Sequence, residues 1–165
     1  MKEIFTRYVE LYGKDLSRLC LSLCCNTQDA EDLFQDTWHK AMKSYYQYRS
    51  GYPFDKWLFA ICVNTYKNTL KLSYNRNKLD FTSFEEKEHF INSLPDNSTL
   101  TPEAYVELKK IIYDLPKKLR VVVVLKYFKD YSIKEIADML KIPEGTVKSR
   151  LHTATSIIKR RLGDE

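Results

Sequence analysis

Apolar residues recur along this chain with the three-to-four-residue spacing of helices, most clearly after residue 131. One face of a predicted helix carries Ile133, Ile136, Ala137 and Leu140. Ser132 and Glu135 provide the capping-box pattern at the start of that helix. Pro143 suits the first turn of a second helix, whose apolar stripe is Val147, Leu151, Ala154, Ile158 and Leu162. The pattern predicts two helices joined by a short turn, a helix-turn-helix.

The face of the second helix opposite its apolar stripe carries small polar side chains flanked by lysines. Its members are Gly145, Ser149, His152, Thr153, Ser156, Lys148 and Lys159. Such side chains reach base edges and phosphates in a groove without steric bulk. A solvated amphipathic hairpin would show the same spacing, but the capping box, the short turn and the basic run 159–161 favour nucleic-acid binding.

Three further helices are predicted before residue 75. The first covers residues 3–25, and the second begins after Asn26 or Thr27, with acidic residues in its first turns, where the helix dipole favours anions. The outer face of the second helix carries Asp32, Gln35, Asp36, His39 and Lys43. That face is either a docking surface for a basic protein partner or an ordinary solvated face, and its spacing fits both.

The third helix is predicted from Phe54 to about Tyr74. Its inward stripe is predicted to be Phe54, Trp57, Leu58, Ile61, Thr65 and Leu72, with Asn64 at the edge. Its outward face is predicted to be Lys56, Phe59, Val63, Tyr66, Lys67 and Tyr74. Lysines interleaved with exposed aromatic rings suit single-stranded DNA. The preceding loop 45–53, YYQYRSGYP, either stacks its rings on unpaired bases or packs them onto the core.

Residues 76–101 lose helical periodicity, and their Ser, Thr, Asn and acidic content predicts a linker. Helices resume at Thr101-Pro102-Glu103 and again at Pro116. The run Val121–Val124 would suit a strand, but its helical neighbours favour a buried helix. We therefore expect an all-α protein with two small helical domains, an N-terminal bundle (1–75) and a C-terminal helix-turn-helix domain (102–165), joined by a flexible linker (76–101).

The net charge of +5 is unevenly distributed along the chain. Residues 1–75 carry ten basic and eight acidic groups, residues 76–105 three and six, and residues 106–165 fourteen and eight. This distribution indicates two units that face nucleic acid and an acidic connector. No apolar run reaches the ~18 residues of a membrane span, and the start lacks the apolar core of a signal peptide. We expect a cytoplasmic protein without membrane insertion.

Four cysteines are expected to be free thiols packed in the core: Cys20, Cys24, Cys25 and Cys62. A metal pair at Cys20 and Cys24 is the alternative, although no histidine lies nearby in sequence. A nuclease would need carboxylates clustered around a metal, and a thiol-redox enzyme would need a Cys-x-x-Cys pair. The chain has neither pattern, so we expect no enzyme activity, no cofactor and no metal.

Three blocks of sequence, taken together and in order, are specific for one family. They are DAEDLFQDTWHKAM (29–42), FDKWLFAICVNTYKNTLK (54–71) and LPKKLRVVVVLKYFKDYSIKEIADMLKIPEGTVKSRLHTA (115–154). The chain resembles, over nearly its whole length, the bacterial sigma factors of the extracytoplasmic-function group, the promoter-specificity subunits of RNA polymerase. A stand-alone helix-turn-helix regulator is the alternative, but it leaves the aromatic loop and the third helix without a role.

The resemblance implies a non-enzymatic initiation factor that binds core RNA polymerase and promoter DNA, often with an anti-sigma factor as a further partner. It implies that the polymerase clamp is bound by Asp32, Gln35 and Asp36. It implies that the 46–54 loop and the third helix capture an unpaired −10 base through Tyr48, Arg49, Phe54, Lys56, Asn64 and Lys67. It implies that the −35 duplex is read by Thr146, Lys148, Ser149, His152 and Thr153. The linker would thread toward the RNA exit path.

Overall fold

The computed structural model describes residues 1–73, 84–94 and 100–163, and it describes residues 70–73 and 84 by their backbone alone. Every regular element in these ranges is helical, so the predicted all-α class is confirmed. The helices are α1 (Lys2–Cys24), α2 (Thr27–Ser44), α3 (Phe54–Ser73), α4 (Phe84–Ser93), α5 (Pro102–Asp114), α6 (Lys117–Val123), α7 (Ile133–Leu140) and α8 (Glu144–Gly163). A 3₁₀ turn (Tyr45–Gln47) follows α2, and a π-helical turn (Val124–Phe128) follows α6.

The chain divides into two compact units, Met1–Phe81 and Thr82–Glu165. In the first unit, α2 packs against α1 and α3, and α3 also contacts α1. The core of this unit includes Leu16, Leu19, Leu23, Leu33, Ala41, Leu58 and Val63. Asn26 caps α2 as predicted, because its Oδ1 accepts a hydrogen bond from the backbone N–H of Asp29 at 2.8 Å.

The orientation predicted for α3 is wrong by about a quarter turn. Phe59, Val63 and Tyr66, which were predicted to be exposed, are 6%, 0% and 5% exposed. Because α3 contacts both α1 and α2, it buries about half of its circumference rather than one narrow stripe. The accessible half carries Trp57 and Ile61, which were predicted to point inward, together with Ala60, Asn64, Lys67 and Asn68. Tyr74 and the side chain of Leu72 lie outside the described residues.

The second unit begins its helices at the predicted caps. The Thr101 Oγ1 accepts from the N–H of Ala104 at 3.2 Å. At the start of α7, Ser132 and Glu135 make both bonds of the capping box, each 3.1 Å long. The valine run Val121–Val124 is helical and buried, as expected. Helix α8 packs against both α6 and α7. Buried apolar side chains of these three helices belong to the core of the second unit.

A helix lies inside the segment predicted as a linker, so the expected loss of helical structure is wrong for residues 84–93. This helix, α4, packs against α5. Phe90 on α4 is completely buried, and its ring centroid lies 5.2 Å from that of Tyr113 on α5. The periodicity was difficult to recognise because α4 has only ten residues, and four consecutive charged residues, 85–88, precede the buried Phe90.

All four cysteines are free thiols, and Cys20, Cys25 and Cys62 are buried as expected, whereas Cys24 is half-buried. The Sγ atoms of Cys20 and Cys62 lie 3.8 Å apart. This contact, together with burial, raises the pKa of the Cys20 thiol far above its ordinary value. Across the described residues, no group of three potential metal ligands comes together. Within the same ranges, none of the helices combines the length and apolar character that a membrane span requires.

Candidate nucleic-acid interface

The loop between α2 and α3 is supported from beneath by a cluster of aromatic rings. Tyr8 stacks on Phe54 with centroids 3.9 Å apart. Tyr48 lies 5.1 Å from Trp57 and 5.8 Å from Tyr45. The hydroxyls of Tyr8 and Tyr45 are 3.2 Å apart, and this hydrogen bond is the main reason that the pKa of Tyr8 is raised to about 12. The cluster joins α1 and α3 to the 3₁₀ turn that follows α2.

The tip of the same loop presents aromatic surface to solvent. Tyr46 is 83% exposed and Tyr52 is 50% exposed, and Arg49 between them is exposed as well. The Tyr48 hydroxyl donates to the backbone oxygen of Tyr52 at 2.6 Å, and the Tyr52 N–H donates to the oxygen of Arg49 at 2.9 Å. The inner tyrosines therefore pack inward while the outer ones remain accessible, and stacking of the outer rings on unpaired bases stays a prediction.

The six residues predicted to contact −10 DNA differ in accessibility. Arg49 is exposed, and four are half-buried: Tyr48, Lys56, Asn64 and Lys67. Phe54 is only 5% exposed, with one ring face covered by Tyr8. This burial agrees with the inward position predicted for Phe54 on the third helix, and its ring lies in the middle of the aromatic cluster. A contact of Phe54 with −10 DNA stays a prediction.

Trp57 was missed as an accessible residue because a tryptophan at helical spacing with leucines was assigned to the core. It is half-buried on the accessible half of α3, with Ile61 and Asn64 following at intervals that place all three on one stripe of the helix. Lys67 continues the stripe. The seven-residue spacing of Trp57 and Asn64 was the available signal, since it places them on one face.

The outer face of α2 is exposed as predicted, with Asp32, Gln35 and Asp36 all accessible. The Gln28 Nε2 donates to the Asp32 Oδ1 at 3.5 Å. Two carboxylates four residues apart project from one side of the helix. The opposite side buries Ala30, Leu33, Thr37, Trp38 and Ala41.

Helix α8 presents its predicted polar face to solvent. Lys148, Ser149, His152 and Thr153 are exposed, and Thr146 is half-buried. The Ser149 hydroxyl donates to the Thr146 oxygen and the Thr153 hydroxyl donates to the Ser149 oxygen, both at 3.0 Å. These hydroxyls keep lone pairs free to accept hydrogen bonds. Val147, Leu151 and Ala154 hold the other side of α8 in the core, so the polar face is rigidly presented.

Comparison with protein families finds a match in each of the two units. Residues 8–73 match the family model of sigma-70 region 2, and residues 105–155 match that of sigma-70 region 4. The ECF RNA polymerase sigma-E factor of Escherichia coli (strain K12) is 30% identical over 141 residues, which cover 81% of this chain and 74% of that protein. The chain belongs to the extracytoplasmic-function sigma factors. It is an alternative sigma factor that directs promoter-specific transcription.

The similarity of this sigma factor to its relatives extends beyond the two matched regions. The ECF RNA polymerase sigma factor SigW of Bacillus subtilis (strain 168) is 27% identical over 170 residues, which cover 99% of this chain and 91% of that protein. The sigma factor RpoE of Bartonella quintana, solved with the anti-sigma factor NepR, has a TM-score of 0.67 and 22% identity over 99% of both chains. CnrH, solved with the cytosolic domain of CnrY, has a TM-score of 0.64 and 22% identity. The solved structures support the fold.

Proposed function

We propose that this sigma factor docks on core RNA polymerase through α2 and opens promoters by capturing an unpaired −10 base. The docking side chains are Asp32, Gln35 and Asp36. Their exposure and the pair of carboxylates on one helical face support this role, because a basic surface on the partner finds complementary charge there. The position of α2 within the matched region 2 further supports it.

Strand capture rests on one observation, the exposed rings of the loop beside the accessible stripe of α3. Tyr46 and Tyr52 offer surfaces on which bases stack, and Asn64 offers a donor and an acceptor for a base edge. Arg49 and Lys67 supply charge to the strand backbone. Phe54 and Tyr48 act from beneath by fixing the loop. Unstacking a base costs a few kcal/mol and stacking on an aromatic ring returns ~1–3 kcal/mol, so this near-balance requires several contacts held together by polymerase.

Recognition of the −35 duplex is assigned to the exposed face of α8. Ser149, His152 and Thr153 are short enough to approach base edges in the major groove, whereas Lys148 suits a phosphate. Thr146 lies near the start of α8, where the helix N-terminus also favours phosphate. The second unit thus reads duplex DNA while the first captures an unpaired strand.

The proposed mechanism contains no catalytic step and requires no cofactor. Promoter opening is driven by binding energy alone, and the factor acts where polymerase and promoter DNA meet, in the cytoplasm. The two similar solved sigma factors were captured with anti-sigma partners, and we extend that kind of partner to this chain. Because its net charge is only +5, the free protein should bind promoters weakly, and polymerase should strengthen that binding.

Asn64→Ala tests strand capture, with Asn68→Ala as the matched control on the same accessible half of α3. With core polymerase and a promoter mapped by transcript start sites, Asn64→Ala should reduce single-strand reactivity at the −10 element while leaving polymerase affinity unchanged. Asn68→Ala should change neither quantity. Equal losses of polymerase affinity and promoter opening in Asn64→Ala would instead show that Asn64 supports the fold.

A further inference from the structure

Helix α4 belongs to the core of the second unit and is held there by a buried lysine. Lys109 on α5 is 3% exposed, and its Nζ donates to the backbone oxygen of Leu94 at 3.1 Å. The same Nζ lies 4.5 Å from the ring centroid of Tyr105. Leu94 directly follows the last residue of α4, so Lys109 joins the C-terminal end of α4 to the middle of α5.

These contacts favour burial of the Lys109 ammonium, because a buried cation is costly unless it is paired and hydrogen-bonded. Carbonyl oxygens at a helix C-terminus form the negative end of the helix dipole and favour a cation there. The face of Tyr105 adds a cation–π contact. Removing α4 would take the Leu94 oxygen away from Lys109, so the docking of α4 and the solvation of Lys109 are coupled.

Other contacts also join α4 to the second unit. Phe90, completely buried, packs against Tyr113. Asp114 at the end of α5 lies 3.6 Å from the Lys87 Nζ of α4 and 3.5 Å from the Arg161 Nη2 of α8. The charges around Asp114 are partly exposed and contribute little, whereas Phe90 and Lys109 are buried contacts between α4 and α5.

We propose that Lys109 is a positioning residue that sets the length of chain between the two promoter-binding units. This inference rests on the proposed function. With α4 docked, the chain from Ser73 to Phe84 spans at most about 40 Å, because an extended residue covers ~3.3–3.6 Å. With α4 released, the chain from Ser73 to Pro102 spans at most about 100 Å. Docking therefore limits the spacing between −10 and −35 elements that one molecule bridges.

Hydrogen exchange of the full-length protein tests the attachment without any substitution. The backbone amides of residues 88–93 should exchange at least about 100-fold more slowly than unstructured chain, since they open only when α4 leaves the second unit. Exchange at the rate of unstructured chain would overturn the proposal. This measurement keeps the inference testable even where a variant folds poorly.

Lys109→Glu should abolish that protection, because it places a buried carboxylate against the Leu94 oxygen. Lys110→Glu makes the same charge change at the exposed neighbouring residue and should leave the protection intact. Protection of α4 that survives Lys109→Glu would show that Lys109 does not hold the helix. Exchange in α7 and α8, read in the same experiment, separates release of α4 from unfolding of the whole unit.

Transcription by the reconstituted polymerase tests whether docking of α4 limits promoter spacing. The promoters differ only in the distance between their −10 and −35 elements. Each added base pair lengthens the duplex by about 3.4 Å. Relative to the optimal spacing, Lys109→Glu should raise output on promoters two base pairs longer by about threefold or more, because a longer tether is more effective at wide separations. A ten-residue Gly-Ser insertion after residue 78 should have the same effect, and Lys110→Glu should have none.

The two readouts separate the possible failures. Loss of α4 protection in Lys109→Glu with an unchanged spacing profile would overturn the positioning role while leaving the proposed function intact. No promoter-directed transcript from the wild-type protein at any spacing would refute the proposed function. In that case, hydrogen exchange would still show whether Lys109 holds α4.

Discussion

The two units of this sigma factor present opposite kinds of surface. The first exposes large rings at the tip of a loop, Tyr46 and Tyr52, whereas the second exposes short polar side chains along α8, such as Ser149 and Thr153. An unpaired strand offers base faces, which rings cover well. A duplex offers base edges inside a groove, which small polar groups reach. This difference is why we propose single-stranded DNA as the target of the first unit and duplex DNA as the target of the second.

The two surfaces are also supported differently. On α8, helical geometry alone places the polar residues opposite Val147 and Leu151, which pack in the core. The loop of the first unit depends on rings contributed by separate helices, with Tyr8 of α1 stacked on Phe54 of α3. The polar surface of α8 is therefore built locally, whereas the aromatic loop of the first unit is assembled by tertiary packing.

The largest expected effect tests whether the two units are independent. Leu58→Ala removes a completely buried side chain from α3 and should destabilise the first unit by about 2–5 kcal/mol. Both tryptophans, Trp38 and Trp57, lie in that unit, so their fluorescence during denaturation follows it selectively. Ile136→Ala, in the core of the second unit, should leave the fluorescence midpoint unchanged. Equal shifts of the midpoint in both variants would mean that the units unfold together.

A smaller effect should separate the strand-binding surface from the duplex-binding one. Tyr46→Ala removes the most exposed ring of the loop and should weaken capture of an unpaired strand by about 1–3 kcal/mol. Binding of the polymerase complex to a template with a single-stranded −10 segment measures this loss. Tyr127→Ala removes a 59% exposed ring from the second unit and serves as the control. A similar loss of template binding with Tyr127→Ala would show that the loop has no special role in strand capture.

Substitution on α8 should have an effect of similar size that is confined to single base positions. His152→Ala should cost about 1–3 kcal/mol at particular positions of the −35 element, as read from binding to a set of single-base promoter variants. Ser156→Ala, one turn further along the same exposed face, is the control. A uniform loss over all promoter variants would assign His152 to the DNA backbone instead of the bases.

The capping box of α7 should contribute a modest amount to the stability of the second unit alone. Ser132→Ala removes the hydroxyl that accepts from the N–H of Glu135 and should cost about 1 kcal/mol. Helical circular dichroism during denaturation should show the loss, while tryptophan fluorescence should not. A shift in fluorescence of the same size would contradict the separation of the two units.

The smallest expected effect is the response of the first unit to high pH. The hydrogen bond to Tyr45 raises the pKa of Tyr8 to about 12, above the unfolded value of about 10. This contribution to stability is present below pH 10 and is lost as the pH rises through about 12. Tyr45→Phe should remove most of it, as measured by tryptophan fluorescence across that range. An unchanged pH profile in Tyr45→Phe would exclude this hydrogen bond as the cause.

Much of the local structure could be predicted because capping chemistry acts over a few residues. Asn26, Thr101 and Ser132 were identified as helix starts, and each accepts the expected backbone hydrogen bond. The polar face of α8 was also correct, because a helix with one buried stripe has its face determined by spacing. The DNA and polymerase contacts assigned to these faces stay predictions until they are measured.

Periodicity failed for α3, which buries about half of its circumference. A period of 3.6 residues shows which side chains share a face, but it does not show how many faces are covered. Helix α3 contacts two neighbours, so Phe59, Val63 and Tyr66 are buried while Trp57 is accessible. The short α4 was missed because its packing partner, α5, lies further along the chain. Phe90 of α4 contacts Tyr113 of α5.

The amino-acid sequence by itself determined the helical class, the caps and the exposed face of α8, because each depends on residues close together in the chain. It also determined the family, through three motifs in order along the chain. Tertiary structure alone decided which half of α3 is open, that Phe54 supports the loop from within, and that Lys109 holds α4 on the second unit. These three outcomes depend on contacts between separate helices, where burial is set by the packing partner as well as by the residue.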